Sequence, residues 1–160
     1  MPEEIDVEAR IKNAGLVLPE PMNVKLPFPW VRVHGNRAYV SGHGPQNPDG
    51  SLAEPLGKVG KDLTAEQGYK QARTVGLSIL GSLKRELGDL NRVTHWLRIF
   101  GMVNSAPGFN QQPQVINGFT DLIHELWGRE RGAHSRSAVG MAELPFDIPV
   151  EIEAEVEILS

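Results

Sequence analysis

The sequence has 160 residues, 40% hydrophobic and 22% charged, with a formal net charge of −4 and a pI near 5.7. That balance fits one soluble globular domain spanning 1–160, long enough to bury a core, and it lacks the basic footprint of nucleic-acid binders. The absence of cysteine excludes disulfides, thiolate nucleophiles and cysteine-ligated zinc; no apolar run approaches the ~18 residues of a membrane span, and the acidic opening MPEEIDVEARIK is unlike a signal peptide, so a cytoplasmic location is expected.

Taken in chain order, Ile5, Ala9, Ile11 and Leu16 predict a short amphipathic helix over 4–15, stopped at the glycine of NAGL. LPEPMNVKLPFP, residues 18–29, carries four prolines and predicts an extended stretch. It is too apolar for a free linker, so it should be pinned along a surface or a subunit boundary. WVRVHGNRAYVSG predicts a β-hairpin turning at HGNR, and PQNPDGS a second tight turn. Thr64 in TAEQ is a plausible N-cap with Gln67 at the capping-box position. The helix that follows places Ala72, Val75, Ile79, Leu83 and Leu87 on one stripe and ends at Gly88.

RVTHWLRIFGMV predicts a strand, with Trp96 and Phe100 as core or interface anchors, as is Trp127 in the helix that follows. That second helix carries Val115, Phe119, Leu122, Ile123 and Leu126 on one face. Strands at 134–143 and 149–158 close the chain and are expected to pair around LPFD. In the last, Val150, Ile152, Ala154, Val156 and Ile158 alternate strictly with Glu151, Glu153, Glu155 and Glu157. Pairing Glu143 with Ile148 puts Arg136 opposite Glu155 and Gly140 opposite Glu151, with Arg136 and Glu151 on one face.

The order β-β-α-β-α-β-β behind an N-terminal helix predicts an α+β two-layer sandwich, a mostly antiparallel sheet packed on two helices. The other sheet face carries enough apolar residues to predict contact with another subunit. Several chemical signals do not assemble. The five histidines show no HxxxH or HxH spacing, so no metal site is expected. SGHGP lacks the Lys-Ser/Thr of a phosphate loop, and Ser41 lacks the G-x-S-x-G setting of a serine hydrolase.

SRSAVGMAELPFDIPVEIEAEVEI resembles the C-terminal signature of the RidA/YjgF family, an RS strand, a short LP turn and an EIEA-type strand. GNRAYVSGHGP is similar to the family's SGQ strand end, and NPDG, the AEQGYKQA helix and VINGFTDLI extend the likeness. It covers about residue 24 to the end, leaving 1–23 as an N-terminal extension. The resemblance implies a chorismate-mutase-like fold, a homotrimer with active clefts between subunits, and hydrolysis of enamines and imines to 2-oxo acids and ammonia without cofactor or metal.

It also implies roles for individual residues. Arg136 would hold the carboxylate of a small imino or 2-oxo acid bidentately; otherwise it is an ion-pair residue. Glu151 would orient water and move a proton to the leaving nitrogen, whereas the other three glutamates are read as a polar strand face. Ser41 and Asn117 align with substrate-side residues. Phe28 aligns with an aromatic, usually tyrosine, and Trp30 is its rival. Ala138 stands where the family often has cysteine, leaving only a backbone contribution. His43, replacing glutamine, offers either a titratable group near the cleft mouth or a hydrogen-bonded loop histidine. A trimeric carboxylate binder that turns nothing over is the alternative, and ribonuclease the least compatible with an acidic chain.

Overall fold

Asp6 accepts the Ala9 amide hydrogen on its carboxylate and so sets the start of α1 at Val7; the helix runs Val7–Asn13, and the chain leaves it through Gly15 at φ +66°. The structure is a computed structural model and describes residues 4–160. α1 is docked rather than free. It buries Val7 and Ile11, Glu8 pairs with Lys84 at 2.5 Å and accepts the Leu90 amide hydrogen, and Arg10 donates to the Leu126 carbonyl.

The predicted hairpin is formed by β1 (Val31–His34) and β2 (Arg37–His43), with Val31 opposite Val40 and His34 opposite Arg37. α2 (Ala65–Leu87) opens on the capping box of Thr64 and Gln67 and stops at Gly88. Its stripe is core: Ala72, Val75, Ile79, Leu80 and Leu83 are fully buried. Near its C-terminal end α2 also meets the proline-rich stretch, where Arg85 donates to the Pro19 carbonyl at 2.9 Å. α3 (Gln112–Arg131), interrupted at Gly128, crosses α2 so closely that a side chain at Gly118 would strike the Tyr69 carbonyl. Trp96 meets Phe119 and Trp127 edge-on, with centroids 5.6 and 5.3 Å away; such pairs contribute about 0.5–1.5 kcal/mol beyond burial.

β3 (Val93–Asn104), β4 (Ser135–Met141) and β5 (Val150–Ile158) complete a five-stranded sheet of order β1-β2-β5-β3-β4. All pairs are antiparallel except β3–β4. The expected pairing of the two closing strands is therefore corrected: β3 separates them. α3 carries the chain back along the sheet, so β4 enters parallel to β3 at an edge. β5, with alternate residues buried, takes the interior slot, where both of its sides find a ladder. The register changes accordingly. Arg136 lies opposite Ile99 and Gly140 opposite Val103, while Glu155 lies opposite Arg98 and Tyr39 and Glu151 opposite Met102. The result is a mixed sheet with α2 and α3 on one face, the chorismate-mutase-like α+β architecture.

Candidate functional site

Glu151 projects from β5 on the face away from the helices, since its neighbours Val150 and Ile152 are fully buried against them. Its carboxylate makes no hydrogen bond to any described residue. Burial pushes its pKa above the usual carboxylate range, and the like charge of Glu153 adds to the shift. Room for the carboxylate comes from Gly42, in the irregular stretch of β2 between Val40 and His43: a side chain there would collide with Glu151.

A cavity of about 280 Å³ opens above Glu151. Its first wall is Met22, Val24, Leu26, Phe28 and Trp30, every second residue of the extended proline-rich stretch. A second wall comes from Pro145, Phe146 and Ile148 in the β4–β5 connector, with Leu52 at the side. Both rival aromatics therefore face the same space, Phe28 half-exposed and Trp30 more covered. Ser41 lies in an adjoining hollow shared with Phe28, and its hydroxyl donates to the Pro29 carbonyl at 2.9 Å.

Arg136 does not join this group. Its β4 register places it on the helix face, where Nη1 donates to Thr120 Oγ1 at 2.9 Å and Nη2 to the Pro113 carbonyl at 3.2 Å. Asn117 falls between those contacts on the same face of α3, at i+4 from Pro113 and i−3 from Thr120. Partial burial lowers the Arg136 pKa while Asp121 opposes the shift, and the guanidinium forms no ion pair among the described residues. Ala138 pairs with Gly101 on the same edge strand. The expectation that Arg136 and Glu151 share a face is thus corrected. They sit two strands and three register steps apart, roughly 14 Å between backbones, on opposite faces of the sheet.

Of the two readings of His43, the structure shows the hydrogen-bonded one. Only 2% exposed, the ring is turned into the helix layer. Its Nδ1 faces the Ser41 carbonyl at 2.6 Å and its Nε2 the Ser82 hydroxyl at 2.7 Å. A carbonyl only accepts, so Nδ1 carries the hydrogen and Ser82 donates to Nε2. Burial drops the His43 pKa to about 4. The ring fixes the carbonyl beside Gly42 and packs at a tilt against Trp30, centroids 4.6 Å apart; it does not reach the cavity as a titrating group.

Sequence reading missed two residues that orient Arg136. The Thr120 hydroxyl accepts from Arg136, and His134 Nε2 lies 3.0 Å from it while Nδ1 meets the Gly132 carbonyl at 2.7 Å. Burial lowers the His134 pKa and favours the neutral ring; with Nδ1 donating to the Gly132 carbonyl, Thr120 then donates to Nε2. No motif marks this relay, because its members reach one another only through the α3–β4 packing. Among the described residues, no group of three or more His, Asp or Glu converges as a metal site, and no helix is long and apolar enough to cross a membrane.

Residues 8–150 match the family described as "YjgF/chorismate_mutase-like, putative endoribonuclease". Protein TCP17 of Trypanosoma cruzi is 36% identical over 152 residues, covering 95% of this chain and 94% of that protein. The structure of Atu1372 from Agrobacterium tumefaciens, of unknown function, superposes with a TM-score of 0.86 at 38% identity, covering 96% of this chain and 94% of that one. A "putative endoribonuclease" from Shewanella oneidensis MR-1 gives a TM-score of 0.89 at 28% identity, covering 96% and 99%. The family match begins at residue 8, inside α1, rather than near residue 24, and stops one residue short of Glu151.

Proposed function

The chain belongs to the RidA/YjgF family, and from that premise we propose that it hydrolyses reactive 2-imino acids and their enamine tautomers to 2-oxo acids and ammonia. The observation that carries this reading is Glu151, a half-buried carboxyl group with a raised pKa and no hydrogen-bond partner among the described residues, at the floor of an apolar cavity. A carboxyl group so tuned holds a proton at higher pH than an ordinary one and meets no acceptor among the described residues.

The chemistry follows from that. Protonated Glu151 gives its proton to the imine nitrogen, which makes the C=N carbon more electrophilic. Water adds to that carbon, forming the C–O bond as the C=N electron pair moves to nitrogen, and the carboxylate takes up the proton the water loses. Glu151 then protonates the amino group of the carbinolamine, and the C–N bond breaks to release ammonia. The C–O bond becomes C=O as the hydroxyl proton returns to the carboxylate. The balance is one imino acid and one water to one 2-oxo acid and one ammonia, with no metal or cofactor in any step.

Arg136 takes the substrate carboxylate in this reading. Two of its five N–H donors are held by neutral acceptors on α3, the Pro113 carbonyl in its first turn and the Thr120 hydroxyl two turns on. The positive end of that helix beside Pro113 favours an anion there. Asn117, on the same helix face, is the second substrate-side group; Ser41 and the Phe28/Trp30 wall belong to the Glu151 half. Because the two halves lie on opposite sheet faces, a substrate touching both must lie between copies of the chain. A homotrimer with interfacial clefts supplies that arrangement.

The endoribonuclease wording belongs to the family description and to the Shewanella protein. A net charge of −4 and a row of glutamates on the open sheet face work against RNA phosphates. The test is to generate imino acids in situ with an amino-acid oxidase and follow their disappearance. Wild-type protein should accelerate it, and Glu151→Gln should lower turnover by about two to four orders of magnitude with circular dichroism unchanged. Equal rates for the variant and wild type would remove Glu151 from the chemistry.

A further inference from the structure

The resemblance leaves the size of the substrate open, and the cavity above Glu151 speaks to it. We infer that this cavity is a side-chain pocket that selects 2-imino acids bearing a bulky apolar side chain over three-carbon ones, an inference that rests on the activity proposed above.

Volume comes first. A cavity of about 150 Å³ lined by apolar side chains accommodates benzene, and the space here is about 280 Å³. A three-carbon imine would leave most of its apolar wall facing water. A leucine- or phenylalanine-derived imine would cover it, at roughly 25 cal/mol per Å² of apolar surface removed from water.

The lining comes second. Every residue of the wall formed by the proline-rich stretch is apolar, and among the described residues Glu151 is the one ionisable group at the cavity surface. Val24, Phe28 and Phe146 are 42%, 51% and 68% exposed, three large apolar side chains turned toward one opening. The reacting nitrogen belongs at Glu151, so the substituent on the same carbon extends toward this wall.

Preorganisation comes third. Phe146 and Asp147 both hold φ at +58°, a region costly for side-chain-bearing residues. Their connector is tied down on both sides. Gly57 N–H donates to the Asp147 carbonyl at 2.7 Å, buried Asn104 donates to the Ile148 carbonyl, and Lys58 donates to the Ala142 carbonyl and to Glu143. Phe146 is held out over the cavity by these bonds, as a fixed lip rather than a loose loop.

The experiment has two arms. In the first, wild-type protein is offered imines made in situ from alanine, leucine and phenylalanine. The expected kcat/KM for the two large imines exceeds that for the alanine imine by at least about ten-fold. Val24→Trp, which fills the cavity from its rim, and Phe146→Asn, which removes the lip while tolerating positive φ, should each cut that ratio at least about five-fold. In the second arm, calorimetry compares pyruvate with 4-methyl-2-oxopentanoate and phenylpyruvate as product-side probes, independent of turnover. The larger acids should bind at least about ten-fold tighter, with Val24→Trp erasing the difference. If no imine is hydrolysed yet the larger acids bind preferentially, the proposed activity fails and the pocket stands. Equal or reversed preference in the binding arm, or a ratio unmoved by both variants, overturns the pocket.

Discussion

At Glu151 and Arg136 the same physical factor acts in opposite chemical directions. Partial burial penalises charge, so the carboxyl pKa rises and the guanidinium pKa falls. The glutamate holds its proton to higher pH than an ordinary carboxyl group, whereas the arginine, though lowered by burial, keeps its charge at every working pH. Its role is therefore geometric. The planar fork is fixed by Thr120 and Pro113, and His134 orients Thr120 in turn. Arg136→Lys keeps the charge and loses the fork; Arg136→Ala loses both. On the imine assay kcat/KM should fall in the order Arg, Lys, Ala, by about ten-fold or more at each step, chiefly through KM. An Arg136→Ala protein that deaminates imino acids at the wild-type rate would show that Arg136 is an ordinary edge-strand residue and that the substrate carboxylate binds elsewhere.

At the scale of elements, the irregular part of β2 joins stability to the site. His43 is buried neutral: unfolded, it takes up a proton near 6.5, and folded, near 4. Between those values the unfolded chain binds the extra proton, so stability falls as pH drops from 6.5 toward 4, by about 3 kcal/mol in all. His134, also depressed by burial, adds to the same limb. His43→Gln should therefore flatten much of the decline in urea midpoint between pH 7 and pH 4.5; an unchanged slope would show that His43 carries no protonation linkage. Much of this level was readable in the sequence. The capping box of Thr64 and Gln67, the HGNR turn, the stop at Gly88 and the alternation of β5 are short-range signals, and each is found in the fold. Strand pairing was not. Nothing within residues 134–158 reveals that β3 intervenes, because that depends on α3 returning the chain parallel to β3. The cavity was hidden for a similar reason, since its walls come from the 22–30 stretch, Leu52 and the 145–148 connector. The alternation of Met22, Val24, Leu26, Phe28 and Trp30 was visible, but which surface it faced was not.

At the scale of the whole molecule, the proposed function assigns a single chain two halves of a site. The Glu151 half, with Ser41, Phe28 and Trp30, lies on the open sheet face; the Arg136 half, with Asn117, lies by the helices at the β4 edge. In the proposed assembly, head-to-tail contact between copies would bring one half of each chain against the other half of the next, closing into a ring when the rotation allows. The central claim is this shared site, and it has a direct test. Arg136→Ala and Glu151→Gln proteins, each inactive alone, are mixed in equal amounts, unfolded and refolded together. A site assembled from two chains then finds an intact arginine from one variant and an intact glutamate from the other in about a quarter of random pairings. The account predicts recovery of about a quarter of the wild-type imine hydrolysis per chain, with light scattering showing one closed oligomer. Refolded mixtures that form the oligomer and stay as inactive as either parent would contradict it, because both residues would then have to act within one chain.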